Sequence, residues 1–238
     1  MKKLILSILI LITFSPALWA QHEDTDWTVP ELFDFHTVIA DMWHVAYPAK
    51  DIDLLKSYVP KIKDGIQKIN NATLPGINQD KLAKWQDGLK QFNAAAEAYY
   101  AATEKNDNDA ILIAAENLHS NFEAMVRIIK PVMKELDDYH RILYIIYHTY
   151  YPAKDIKSVA ALMDELLAKA KAIPEGKIPQ RIESKKDVFL AEANELVNRT
   201  EQLRNLLLSG TNDVSEDLIL TSIEKMHTQY QKLESVFD

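Results

Sequence analysis

The stretch ELFDFHTVIADMWHVAYPAKDI, from Glu31 to Ile52, returns as ELDDYHRILYIIYHTYYPAKDI from Glu135 to Ile156, 104 residues further on and with 11 of 22 positions identical. A second echo joins ENLHSNF (Glu116 to Phe122) to EKMHTQY (Glu224 to Tyr230) at an offset of 108. The chain therefore reads as two copies of one unit of roughly a hundred residues. Six of its seven histidines fall into matched pairs: His36 with His140, His44 with His148, and His119 with His227. Most surrounding positions have drifted, so retention of every internal histidine asks for a physical reason. Buried hydrogen bonding and metal ligation are the two candidates.

Around these motifs the pattern is helical. The chain has five glycines, no sustained alternation of apolar and polar residues, and long stretches rich in Ala, Leu, Lys, Glu and Gln. Four helices are expected in the first copy, near 30–47, 51–70, 78–104 and 108–129, and four in the second, near 132–150, 155–172, 181–208 and 214–236. Pro, Gly and Asn/Asp punctuation separates them in YPAK, NNATLPG, KNDND, IPEGKIP and SGTND. Short connections favour antiparallel neighbours. The expected fold is all-α, a tandem repeat of two up-down-up-down four-helix bundles. Pro60 should kink the second helix, and Asp51 and Asp155 in the PAKD turns are placed to cap helices.

The first 20 residues, MKKLILSILILITFSPALWA, carry two lysines, an apolar run and small residues, the pattern of a secretory signal peptide. Cleavage is expected after Ala20, with Ala17 as the alternative. The domains are then 1–20 signal peptide, 21–130 first bundle and 131–238 second bundle, joined at Lys130-Pro131. The apolar run is short for a bilayer span, so the mature protein is expected to be soluble and periplasmic or secreted. With no cysteine, it must rely on a hydrophobic core for stability. Loss of Lys2 and Lys3 takes the formal charge from −8 to −10, which argues against nucleic acid and mildly favours cations as partners.

On the first helix Phe33, His36, Ala40, Trp43 and Tyr47 recur at steps of three and four, and the second copy places Asp137, His140, Tyr144, Tyr147 and Tyr151 at the same steps. Both histidines of each helix thus lie along an aromatic seam, where an imidazole needs a partner. Histidines eight apart on one helix rise about 12 Å and cannot readily share an ion, so a ligand must come from elsewhere. Glu116 and His119, three apart, project from neighbouring rows, as do Glu224 and His227. Antiparallel packing would bring His119 level with about residues 37–40.

The expected site, one per bundle, combines His119 and Glu116 with His36 or His44, and His227 and Glu224 with His140 or His148. Imidazoles with a carboxylate and no thiolate suit a divalent transition metal such as Zn, Cu or Ni. The role would be buffering, delivery or sensing. Alternatives are a structural or adaptor protein of the cell envelope, its histidines tied into pairs such as Asp34 with His36 and Asp138 with His140, or a bis-His haem bundle. Met–His haem ligation through Met42 fails in the second copy, which has Ile146 there. Each bundle has one Glu-x-x-His, too few for a di-iron carboxylate site. A mononuclear metalloenzyme would need an open coordination position. No nucleophile with a base and no phosphate loop supports catalysis. His22 reads as part of an N-terminal tail.

Overall fold

A computed structural model of the chain describes residues 24–208 and 215–237. The signal-peptide expectation for residues 1–20, and His22, lie outside the described residues. These form helices α1 (Pro30–Asp41), α2 (Ile52–Ser57), α3 (Val59–Asn71), α4 (Leu82–Lys105), α5 (Asn108–Ile129), α6 (Lys134–Ile145), α7 (Ile156–Ala172), α8 (Lys186–Leu208) and α9 (Glu216–Glu234), with shorter helical turns between them. No strand occurs among the described residues, and no helix there is long and apolar enough to cross a membrane.

Local chemistry sets the helix ends. The carboxylates of Asp51, Asp107 and Asp155 accept from the backbone N–H three residues on, at 3.0, 3.1 and 3.1 Å, and Ser215 Oγ does the same at 3.2 Å. Each satisfies one of the amides left over at a helix start. The expected second helix is interrupted at Tyr58, and Pro60 sits in the first turn of α3, where its missing N–H breaks no helical bond. α4 and α8 begin later than the sequence suggests, because six residues before each, Gly76–Lys81 and Gln180–Lys185, wind as 3₁₀ turns behind Pro75 and Pro179.

The two PAKD turns close in the same way. Lys50 and Lys154 are left-handed at φ 51° and 54°. Lys50 N–H donates to Tyr47 O and Asp51 N–H to Ala46 O, each at 3.0 Å, while Lys154 N–H reaches Tyr151 O at 3.1 Å and Asp155 N–H reaches Tyr150 O at 3.0 Å. These paired bonds make a Schellman closure, normally built on glycine.

Buried apolar residues fall into two clusters, one drawn from Val29 to Ile129 and the other from Met133 to Phe237. In the first, α1 packs on α3, α3 on α4, and α4 on α5. Phe35, Phe92 and Phe122 meet there, with Phe35 edge-on to each of the others at 6.0 Å. In the second, α6 packs on α7, α7 on α8, and α8 on α9. Two buried hydroxyls are paired, Tyr99 Oη donating to Leu55 O at 2.6 Å and Tyr139 Oη sharing a 3.0 Å bond with Thr200 Oγ1, whereas Tyr100 Oη has no hydrogen-bond partner. Lys130 and Met133 are extended on either side of Pro131, so the two clusters are joined by only a few residues.

The strained turn and the close helix contact can each be tested by one substitution. Lys50→Gly should raise stability by about 1 kcal/mol, because a lysine in the left-handed region carries a Cβ penalty that glycine does not. Urea denaturation checks it, and no gain would mean the turn is not under that strain. A Cβ at Gly65 would run into the ring of Phe35. Gly65→Ala should therefore cost about 1–3 kcal/mol, the usual scale for overpacking, measured in the same way.

Candidate metal centre

The histidine-bearing end of the first helix in each half is not a regular α-helix. Met42–Ala46 and Ile146–Tyr150 are π-helical, with Tyr47 N–H donating to Met42 O and Tyr151 N–H to Ile146 O. A proline within a helix presses its ring against the carbonyl four residues before it. For Pro48 and Pro152 those carbonyls belong to His44 and His148. The wider turn accommodates the rings, and its extra residue rotates the next side chains by about 100° relative to a regular helix. Such single π turns are frequent at functional sites.

Beside these turns runs a ladder of stacked rings. In the first half Tyr47 stacks on Trp43 at 4.4 Å, Trp43 lies on His119 at 4.1 Å and 5°, and His36 lies on Phe122 at 5.7 Å. In the second half Tyr151 stacks on Tyr147 at 5.2 Å, Tyr147 on His227 at 3.6 Å and 2°, and His140 on Tyr230 at 4.3 Å. α1 and α5 thus run antiparallel, with residue 43 opposite 119 and 36 opposite 122. His119 comes level with Trp43 and not with residues 37–40, since the flat indole stacks on the imidazole and fixes the register.

Three side chains converge in the second half. Asp80, His148 and His227 each offer a ligand atom, all within 4.8 Å of one another, and they are the one such group of three among the described residues. His148 comes from the second π turn, His227 from α9, and Asp80 from the 3₁₀ turn before α4. His227 Nε2 is buried with no hydrogen-bond partner of acceptable direction, although Asp80 Oδ2 lies 3.3 Å away. Two ligands bound to a tetrahedral zinc ion at ordinary bond lengths stand about 3.3 Å apart. The separation thus fits two donors awaiting a shared cation. The side chains of His227 and Asp80 are 6% and 21% exposed, so the contact between them is largely covered, although Asp80 and His148 are exposed as whole residues and only His227 is buried.

Electrostatics favour donor atoms over protons. The contact with His227 holds the Asp80 carboxyl below its ordinary value against the opposing effect of burial. Burial lowers His148, with the charge of Asp80 opposing. His140 is pushed down to about 3 by burial, against the pull of Asp80 and with Lys81, His227 and His148 adding to the lowering. His148, so favoured in its neutral form, keeps a lone pair that a metal could take.

The other residues singled out in the sequence are dispersed around this group. His140 is buried on Tyr230 beside it but is not one of its three members. Glu224 is exposed and outside it. In the first half His36 and His44 are exposed and His119 is half-buried. Burial lowers His119 as well, with Glu123 opposing and His44 and His36 adding to the lowering. Glu116 is exposed and accepts a 3.3 Å hydrogen bond from Tyr47 Oη. Met42 is fully buried in the first core. Asp138 pairs with Lys134 at 2.7 Å and Lys169 at 3.2 Å. Asp51 and Asp155 serve as helix caps. Sequence reasoning missed Asp80, because it sought residues retained in both copies and the position 104 further on is Ser184. Compared with protein-family models, curated proteins and solved structures, the chain matches none.

The buried histidine makes stability depend on pH. The folded His140 value of about 3 lies below the value of about 6.5 for an unfolded histidine. Between the two, the unfolded chain binds a proton that the folded one does not. Stability is therefore complete above about pH 6.5 and declines as pH falls, at about 1.4 kcal/mol per pH unit once well below it. Lowered Asp80 acts with the same sign at more acid pH. Urea midpoints should show a loss of about 2 kcal/mol from His140 alone between pH 7 and pH 5. His140→Phe should shrink the loss, and an unchanged pH slope would refute the assignment.

Proposed function

We propose that this chain is an exported, soluble helical protein that binds one divalent transition metal ion through Asp80, His148 and His227, for buffering, delivery or sensing. The observation that carries the reading is the poorly directed approach of Asp80 to the buried Nε2 of His227, beside His148. Two imidazoles and one carboxylate suit Zn(II), Cu(II) or Ni(II), and three protein donors leave a tetrahedral ion one further position. Two four-helix bundles in tandem are the architecture we assign, supported by the two apolar clusters and the sequential packing of helices within each. The apolar run and paired lysines at the start of the sequence support export, which fractionation of cells producing the untagged protein would check.

This reading carries a different stoichiometry from one site per half. A site in each half would give two ions per chain, whereas the carboxylate that completes the group is present once, so one ion is expected. The test is elemental analysis of untagged protein isolated without chelator, together with calorimetric titration with Zn, Cu and Ni. Wild type should hold close to one ion per chain. The double variant Asp80→Asn, His227→Ala should lose at least a hundredfold in affinity, while His119→Ala leaves the ion in place. A wild type that takes up none of these metals overturns the reading, and a Soret band on haem titration would instead favour bis-His ligation.

A further inference from the structure

Resting on the metal reading above, we propose that the ion is a clasp between the two halves of the chain, so that its binding fixes how the halves sit together. The donors come from both sides of the Lys130-Pro131 joint. Asp80 belongs to the turn between α3 and α4, in the first half, whereas His148 and His227 stand on the π turn after α6 and on α9, in the second.

The turn is built to present that carboxylate across the seam. Ile77 and Asn78 are buried at 3% and 2% exposure, and Asn78 Nδ2 donates to Trp27 O at 2.9 Å, which anchors the turn to its own half. On the far side Gly76 lies so close to the Tyr144 hydroxyl that a Cβ would collide with it. Lys81 Nζ pairs with Glu234 of α9 at 3.1 Å in a largely covered position. Asp80 thus lies between two fixed points, with its carboxylate aimed at the histidines of the other half.

The first half shows the same rings without such a cover. His36 and His44 are exposed and His119 is half-buried, while in the second half His140 and His227 are buried and His148 is exposed. The carboxylate completing the group therefore arrives from the neighbouring half. A ligand that binds only the joined arrangement stabilises it by mass action, so an ion at a hundred times its dissociation constant suppresses the separated arrangement about a hundredfold. Occupancy is thereby converted into rigidity of the seam, which is the output a sensor needs.

The test uses the full chain, with binding and seam rigidity read separately. Zinc binding is measured by calorimetry. The seam is monitored by amide hydrogen exchange over residues 74–82, and by the width of the distance distribution between spin labels at Gln67→Cys and Glu165→Cys. The chain has no cysteine of its own to interfere. Zinc should slow exchange in the turn at least tenfold and narrow the distance distribution. In Asp80→Asn, with its helical circular dichroism unchanged, residual binding by the histidines should produce neither effect. Zinc that binds wild type without changing exchange or distances overturns the clasp and leaves the metal site standing. Failure of zinc, and of copper and nickel in the same titration, to bind overturns both.

Discussion

A proline four residues after a histidine in a helix is a steric constraint that has to be answered locally, and the histidine end of this fold depends on the answer. The ring cannot share space with the carbonyl before it, so the backbone widens at His44 and again at His148. A flat aromatic ring of the same turn, Trp43 or Tyr147, then lies against the histidine of the opposing helix. Stacking orders those imidazoles through their faces and leaves their nitrogens free to find other partners. In the second half the partner across the seam is Asp80.

Much of this was legible in the sequence and some was not, for definite reasons. The limits of α5 were expected at 108–129 from the KNDND link and Pro131, and the caps Asp51 and Asp155 were readable because capping is a local interaction between a side chain and an amide three residues on. Of the paired histidines, His148 and His227 stand in the group with Asp80. Periodicity at 3.6 residues gave no sign of the π turns, although Pro48 and Pro152 inside otherwise helical runs were the available signal. The 3₁₀ turns before α4 and α8 were absorbed into those helices for the same reason.

Asp80 was out of reach by this route. Nothing local to Gly76–Lys81 distinguishes its carboxylate from any exposed aspartate, and its partners lie 68 and 147 residues away. Long-range convergence is set by packing, here by Gly76 against Tyr144 and Lys81 against Glu234. The histidine pairs pointed to equivalent chemistry in both halves. The structure instead makes the halves chemically unequal, with one histidine face met by a carboxylate and the other open.

That inequality bears on assembly. A unit that offers a donor turn at one end and an open acceptor face at the other can add copies head to tail, and unless the rotation closes a ring such a contact grows into a fibre. The turn at Gln180–Lys185 is the counterpart of Gly76–Lys81, and it carries Ser184 where the first turn has Asp80. The one carboxylate of this kind is already engaged inside the chain. With serine at Asp80's place, the second turn does not repeat the first turn's approach to a histidine face among the described residues.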